Sequence, residues 1–145
     1  IDWHLLDDAR HRGLLDFNRD LNRMYADLPA LHASDADPAG FAWIDLHNAD
    51  QSIFAFLRRD PQHPDAPPLV CLFNGTPVPR DDYWVGVPEG GSYVRLLDSD
   101  AARYGGSAHS SQDRVTADAH PSHGFPFRLR VNLPPLAAVF LRADR

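Results

Sequence analysis

Several residue types that often carry chemistry are scarce in this chain. It has no lysine, one glutamate (Glu89) and one cysteine (Cys71), so all 14 basic side chains are arginine. A single cysteine forms no internal disulfide, and Cys71, inside the apolar stretch LVCLF, is expected to be a small buried residue in a reducing, cytoplasmic compartment. The skew toward arginine and aspartate follows no spatial pattern, and we interpret it as codon bias.

The chain also lacks long apolar runs and clusters of positive charge. No stretch approaches the roughly 20 apolar residues that span a bilayer, and no signal-peptide pattern opens the sequence. The formal net charge is −6, with no basic cluster. We therefore expect no nucleic-acid partner and no membrane partner.

What is present is enough apolar sequence for one folded unit. The 145 residues are 43% hydrophobic, which suits about one domain with a single core. The sequence begins at Ile1 rather than at a methionine. We therefore expect a fragment of a longer protein.

The longest helical pattern lies in residues 11–34. Apolar side chains recur there at spacings of three and four and form one stripe: Leu14, Phe17, Leu21, Met24, Leu28 and Leu31. Asp7 or Asp8 suits the helix N-cap, and Pro29 interrupts the hydrogen bonding. The pattern predicts a helix over residues 11–27 and a short second helix from Pro29.

Short strand patterns fill the rest of the chain. Residues 41–46 and 52–59 predict one hairpin, and residues 83–87 and 92–97, joined by PEGG, predict another. Further strands are expected at 69–73, 115–119, 125–133 and 136–141. The fold class is therefore mainly β: an antiparallel sandwich with Greek-key connections and seven or eight strands, preceded by an N-terminal helical segment.

The stretch FNGTPVPR at residues 73–80 ends a strand in an unusual way. Asn74-Gly75 resembles a hairpin turn, but Pro77 and Pro79 cannot donate ladder hydrogen bonds. A central strand cannot resume at once, so the chain is expected to leave one sheet and cross to the other.

Motifs for catalysis or metal binding are absent from the sequence. His120 and His123 are close together, but in a proline-containing loop without further ligands at defined spacing. No G-x-S-x-G elbow, phosphate-binding loop or isolated carboxylate pair stands out. We expect no catalytic residue, no metal site and no cofactor within this chain.

Exposed aromatic rings are the remaining candidates, because such rings stack on sugars. Trp84 and Tyr83 are neighbours on a predicted strand and point to opposite faces, so one of them faces outward. A binding platform would need Trp84 together with Tyr83 or Tyr104. Trp43 alternates with core positions and is expected to lie in the core.

Five segments in order resemble one known family. They are DWHLLDDARHRGLLDFNRDLNRMY, PALHASDADPAGFAWID, FNGTPVPRDDYWVGVP, LLDSDAARYGGS and VNLPPLAAVFL. Together they cover nearly the whole chain and resemble the C-terminal part of bacterial 1,4-α-glucan (glycogen) branching enzymes, in the α-amylase superfamily (glycoside hydrolase family 13).

This resemblance implies a parent with an N-terminal sandwich, a central (β/α)8 barrel and a C-terminal all-β domain. Residues 1–35 would be the last barrel loop and helix, and residues 36–145 the C-terminal domain. The family cleaves α-1,4 linkages and forms α-1,6 linkages with two carboxyl groups on barrel strands. No motif here carries them, so the fragment alone is expected to be inert.

The resemblance leaves two roles open. A structural domain would pack on the barrel of the same parent chain, with interdomain contacts at the following residues: Leu14, Leu21, Met24, Leu28 and Arg80. Because the helical stripe lacks an obvious partner in a small sandwich, the isolated fragment is expected to self-associate. The alternative is a carbohydrate-binding module that holds α-glucan (glycogen or amylose), with Trp3 and Trp84 as candidate contacts.

Two positions depart from the family pattern. The family has an aromatic residue where this chain has Gly75, so the crossover lacks that hydrophobic anchor. After Tyr104-Gly105-Gly106-Ser107 the family continues with Asn and Gly, whereas this chain reads AHSS, which predicts a different loop shape.

Overall fold

A computed structural model describes residues 2–145. Its one long helix, α1, spans Ala9–Asp27 and follows a 3-10 helix at Trp3–Asp7. The Asp8 side chain caps α1 by accepting a hydrogen bond from the Arg10 N–H at 2.8 Å. A 3-10 turn at Pro29–Leu31 follows directly. The predicted helix and the short second helix are therefore confirmed, with α1 beginning two residues earlier than expected.

Eight strands follow the helix. They are β1 (Phe41–Asn48), β2 (Ile53–Arg58), β3 (Leu69–Asn74), β4 (Arg80–Val87), β5 (Gly91–Asp98), β6 (Arg114–Ala117), β7 (Phe127–Leu133) and β8 (Ala137–Ala143). All pairings are antiparallel, and they form a six-stranded sheet in the order β1-β2-β3-β8-β5-β6 and a two-stranded sheet of β4 and β7. The predicted antiparallel β-sandwich with an N-terminal helix is confirmed.

The crossover at residues 75–79 joins the two sheets. It follows β3 in the six-stranded sheet and leads into β4 in the two-stranded sheet. The expectation that FNGTPVPR carries the chain from one sheet to the other is therefore confirmed. Between the sheets, neither proline has to donate a ladder hydrogen bond.

The second predicted hairpin is wrong. β4 and β5 are separate strands in different sheets: β4 pairs with β7, and β5 pairs with β6 and β8. The turn at residues 88–90 therefore crosses between sheets. The physical reason is the position of β8, which is apolar on both faces and lies at the centre of the six-stranded sheet between β3 and β5. β5 therefore pairs with β8 and not with β4.

The main core lies between the two sheets. It consists of inward-facing residues from all eight strands and includes Leu57, Leu72, Val85, Tyr93 and Leu129, none of which is measurably exposed. Alternation places these residues inside, because successive side chains on a strand point to opposite faces. β3 is buried on both faces, which explains its continuous apolar sequence.

A second cluster lies on the outer face of the six-stranded sheet, where α1 covers it. Leu69, Cys71, Leu97 and Phe140 form its buried part, and the apolar side of α1 packs against them. The molecule therefore has three layers: the helix, the large sheet and the small sheet.

Candidate functional site

The apolar stripe of α1 has a partner inside the chain. Leu21, Met24 and Leu28 are half-buried against the cluster around Cys71 and Phe140. The expectation that the stripe lacks a partner is wrong for these three residues, because the outer face of the six-stranded sheet is itself apolar. Leu14 differs, since 60% of it is exposed. The basis for self-association through the stripe is reduced to this residue.

The beginning of the chain presents an apolar surface to solvent. Trp3 is 69% exposed, Leu5 45% and Leu14 60%. These three residues are called the N-terminal surface below. Trp3 and Leu5 lie in the 3-10 helix and Leu14 lies in the next helix, α1. Single exposed apolar side chains are common on proteins, whereas a group of them is typical of an interaction surface.

The two predicted glucan contacts are not brought together. Trp3 precedes α1 on the outer side of the six-stranded sheet, whereas Trp84 points outward from the two-stranded sheet. The Arg128 guanidinium lies 3.7 Å from the centre of the Trp84 ring. This cation–π contact occupies one ring face of Trp84.

The proposed partners of Trp84 are also unavailable. Tyr83 packs against the main core, and its hydroxyl donates to Asp45 Oδ2 at 2.6 Å. Burial, followed by this hydrogen bond, raises the pKa of Tyr83 above its ordinary value. Tyr104 is buried beneath α1. Trp84 therefore has no coplanar exposed partner among these tyrosines.

A patch of aromatic rings that the sequence analysis missed covers the outer face of β1, β2 and β3. Its members are Phe41, Trp43, Phe54, Phe56 and Phe73, and each ring centroid lies 4.6–5.9 Å from a neighbour. We call this set the aromatic patch. Trp43 is 46% exposed and Phe54 38%. The expectation that Trp43 lies in the core is wrong, because Ala42 and Ile44 take the inward positions of β1.

The strand alternation contained a signal for this patch. In β1 and β2 the inward set is aliphatic, and the opposite set is aromatic in both strands. Where both faces of a strand are apolar, period-two patterns alone do not say which face is solvated. Two adjacent strands with aromatic residues on the same face indicate an aromatic surface.

The structure brings Asp45, Ser122 and His123 together, in an arrangement that resembles a Ser-His-Asp triad. Ser122 Oγ lies 2.9 Å from His123 Nδ1, and His123 Nε2 lies 3.7 Å from Asp45 Oδ2. However, the Gly86 N–H donates to the same Nδ1 at 3.2 Å, and the Tyr83 hydroxyl occupies the same Asp45 oxygen. These contacts brace the loop before β7 against β4 and β1, and we assign them a structural role.

Arg80 begins β4 at the end of the crossover. It is half-buried, and its Nε atom is buried without a hydrogen-bond partner. A buried N–H that lacks an acceptor is unfavourable, and Arg128 Nε shares this property. The interdomain ion pair expected for Arg80 stays a prediction.

Within residues 2–145, no group of three or more His, Cys, Asp or Glu side chains is placed to hold a metal ion. No helix in the same range is long and apolar enough to cross a membrane.

Comparisons with known proteins point to one family. The family described as "Alpha amylase, C-terminal all-beta domain" matches residues 43–144. The chain is 47% identical over 141 residues to the 1,4-alpha-glucan branching enzyme GlgB of Cereibacter sphaeroides. This match covers 97% of the chain and 19% of that relative.

Further relatives give the same result. GlgB 1 of Xanthomonas euvesicatoria pv. vesicatoria is 48% identical over 97% of the chain, and GlgB of Paraburkholderia xenovorans is 44% identical over 98%. In each case the match covers 19% of the relative. The chain therefore spans about a fifth of the length of the curated relatives that it matches.

Proposed function

The chain belongs to the family of α-amylase C-terminal all-β domains, and from this membership we propose that it is the C-terminal domain of a 1,4-α-glucan branching enzyme. Support comes from identities of 44–48% over nearly the whole chain to enzymes with that name. The parent would cleave α-1,4 linkages and form α-1,6 linkages in glycogen synthesis, and a cytoplasmic location suits the single cysteine.

We propose that this domain takes no part in the chemistry. Retaining glycosidases place two carboxyl groups about 5–5.5 Å apart on either side of the scissile bond. The carboxylates that are fixed within this domain have structural partners: Asp20 binds Tyr104, Asp45 binds Tyr83, and Asp98 binds Arg95. The catalytic pair would then lie in the remaining four fifths of the parent.

The role proposed for the domain is to cover and orient the catalytic barrel. The observation that carries this role is the N-terminal surface, where Trp3, Leu5 and Leu14 expose apolar side chains on the segment that resembles the end of the barrel. Burial of about 25 cal/mol per Å² of apolar surface would favour packing against a second body. Leu14 is thus retained as an interdomain contact, whereas Leu21, Met24 and Leu28 support it indirectly by holding α1 in place.

Two experiments test this proposal. The isolated chain, incubated with amylose, should introduce no branch points in an iodine-absorbance assay, whereas the parent enzyme should. In the parent, Leu14→Asp should lower thermal stability and branching activity, and Asn22→Asp on an exposed part of α1 should not. Branch formation by the isolated chain, free of contaminating enzyme, would refute the non-catalytic role. A Leu14→Asp parent with the thermal stability and branching activity of the wild-type enzyme would refute docking through the N-terminal surface.

A second candidate function is α-glucan binding at the aromatic patch. Sugar rings stack on aromatic faces, and Trp43 and Phe54 expose such rings on adjacent strands. Trp43 pairs with Phe56 across the two strands, and Phe54 lies two residues from Phe56 along β2. Phe54 and Phe73 are nearly parallel, with centroids 4.6 Å apart and 8° between the planes. This pair extends the apolar floor beside Trp43. The patch replaces Trp84 as the preferred candidate, because Arg128 covers the Trp84 ring.

Titration with maltoheptaose, followed by tryptophan fluorescence and calorimetry, tests this second function. Trp43→Ala should abolish binding, and the matched variant Trp84→Ala should leave it unchanged. Loss of binding in Trp84→Ala alone would move the site to the two-stranded sheet. Absence of binding to the wild-type chain at millimolar maltoheptaose would leave only the structural role.

A further inference from the structure

The dipeptide Asn74-Gly75, at the end of β3, is chemically reactive. The chain has five asparagines, and Asn74 is the one that glycine follows. Glycine has no side chain to shield its amide nitrogen and moves freely about its backbone, so in a flexible chain this nitrogen reaches the side chain of the preceding asparagine. Asparagine is one of the thermolabile residues of proteins for this reason.

The reaction of such a pair is deamidation through a cyclic imide. The Gly75 nitrogen attacks Asn74 Cγ, so that the bond between this nitrogen and Cγ forms and the Cγ–Nδ2 bond breaks. Nδ2 leaves as ammonia and takes the proton from the Gly75 nitrogen. Water then opens the imide at either carbonyl carbon and leaves aspartate or isoaspartate at residue 74. The reaction requires water alone as a second reactant.

The fold engages both polar atoms of the Asn74 side chain, which is 2% exposed. Its Nδ2 donates to the carbonyl oxygens of Val78 and Pro134, both at 2.9 Å. Its Oδ1 accepts hydrogen bonds from the Thr76 N–H at 3.0 Å and the Thr76 hydroxyl at 2.9 Å. These contacts hold two loops together: the crossover that leads into β4 and the turn that follows β7.

The attacking nitrogen is held as well. The Gly75 N–H donates to the Ser52 carbonyl oxygen at 2.9 Å. One residue later, the Thr76 carbonyl oxygen accepts from the Leu136 N–H at 2.8 Å. Both partner residues have a positive φ, of 50° for Ser52 and 49° for Leu136. Such a conformation persists where surrounding structure imposes it, so the backbone around Gly75 is fixed from two sides.

Asn74 is also the last residue of a strand that lies inside the six-stranded sheet. It pairs with Ile53 of β2 on one side and with Ala137 of β8 on the other. Closure of the imide turns the bond between Asn74 Cα and its carbonyl carbon, so residue 74 would have to leave both ladders. Because this opening disrupts the interior of the sheet, we expect it to accompany unfolding of the sandwich rather than local fraying.

We propose that Asn74-Gly75 is a deamidation site that the folded domain keeps closed and that unfolding opens. Ammonia loss at this site then marks chains that have unfolded. The products rebuild the contacts poorly: aspartate turns a carboxylate toward the Val78 and Pro134 carbonyl oxygens, and isoaspartate lengthens the backbone at the end of β3. Deamidated chains are therefore less stable than the chains they came from, and repeated unfolding lowers the fraction that refolds.

Incubation of the chain in native buffer and in guanidinium chloride, at one mildly alkaline pH and one temperature, tests this inference. Peptide mapping by mass spectrometry measures the fraction of Asn74 that becomes aspartate or isoaspartate. Conversion should be at least about 100-fold slower in native buffer, because the opened fraction of the chain alone reacts. Asn18 is the control in the same digest: Arg19 follows it and hinders the attacking nitrogen, so Asn18 should keep its amide in both solutions.

Gly75→Ala is the matched variant, and its rate in guanidinium chloride does not depend on how well it folds. That rate should fall at least about threefold, because alanine visits fewer backbone conformations and its methyl group hinders the nitrogen. Over cycles of heating and cooling, the refolded fraction of the wild-type chain should fall in step with conversion of Asn74. Equal conversion of Asn74 in native buffer and in denaturant would overturn the inference, as would an unaltered rate in Gly75→Ala.

Discussion

The Tyr104 hydroxyl donates a hydrogen bond to Asp20 Oδ2 at 2.6 Å, 84 residues earlier, and so joins α1 to the 3-10 helix at Ala102–Tyr104. Phe17, one turn before Asp20, meets the Tyr104 ring edge-on with centroids 5.3 Å apart. Helix and sandwich are thus connected by a charge-assisted hydrogen bond beside an aromatic contact.

Tyr104→Phe should retain the ring contact and lose this hydrogen bond. The bond from Tyr104 is the largest cause that holds the pKa of Asp20 below its usual 3.8. A carboxyl with a lowered pKa in the folded state stabilises the fold above pH 3.8 and loses that contribution as pH falls through its folded pKa. We expect Tyr104→Phe to unfold at a lower temperature than the wild-type chain at pH 7. As the pH falls below 4, the variant should lose less stability than the wild-type chain does. Parallel thermal melts across this range would show it, and equal acid sensitivity of both proteins would contradict it.

Gly13 allows α1 to approach the Tyr104 backbone closely. A Cβ atom at residue 13 would lie 2.5 Å from the Tyr104 carbonyl oxygen. Gly13→Ala should therefore destabilise the chain by about 1–3 kcal/mol, although alanine favours a helix by about 1 kcal/mol over glycine. Urea denaturation measures the difference. Asn22→Ala, on an exposed part of the same helix, should be neutral or slightly stabilising, and a stabilised Gly13→Ala protein would show that α1 is not held in this contact.

The two sides of α1 should respond differently to the same truncation. Leu21→Ala should cost the isolated chain about 1–2 kcal/mol, because Leu21 is half-buried on the outer cluster of the sheet. Leu14→Ala should change stability by less than about 0.5 kcal/mol, since Leu14 is 60% exposed. Chemical denaturation of both variants checks this contrast. Equal losses would mean that Leu14 is covered by another molecule in solution.

Local patterns were sufficient for most elements of this fold. The stripe in α1 and the alternation in β7 are determined by residues close in sequence, so periodicity located both. Strand pairing depends on residues far apart in the chain. The PEGG turn suits a hairpin, yet β5 pairs with β8 because the apolar β8 must lie in the middle of a sheet. No local signal near the turn contains that information.

The candidate sites were less predictable for a related reason. Trp43 lies on a strand that is apolar on both faces, and only the assembled sheets decide that Ala42 and Ile44 face inward. The partner of the α1 stripe was missed because Cys71 and Phe140 lie on strands that are far from α1 in sequence, and no local pattern shows that the helix covers them. The unsatisfied side-chain Nε of Arg80 and the positive φ of Leu136 are properties of the folded structure, which composition does not reveal.

Asn74 should be the most sensitive polar residue of the sandwich. Asn74→Ala removes the acceptor for Thr76 and the amide donor to the carbonyl groups of Val78 and Pro134, of which Val78 keeps a second donor, the Thr76 hydroxyl at 3.3 Å. We expect a loss of about 2–3 kcal/mol in urea denaturation, because buried groups left unsatisfied cost more than the bond itself contributes. Asn18→Ala, where the amide bonds only to its own helix, should cost far less.

Asn74→Asp sharpens this test because its effect depends on pH. The substituted carboxylate oxygen would face the Val78 and Pro134 carbonyl oxygens, so burial and repulsion should raise the pKa of the new carboxyl well above the reference value of about 3.9. A group whose pKa is raised on folding gains relative stability as pH falls toward its folded value. The deficit of this variant relative to the wild-type chain should therefore shrink from pH 7 to pH 4.5. A deficit that stays constant across this range would show that the amide donors of Asn74 do not hold the two loops together.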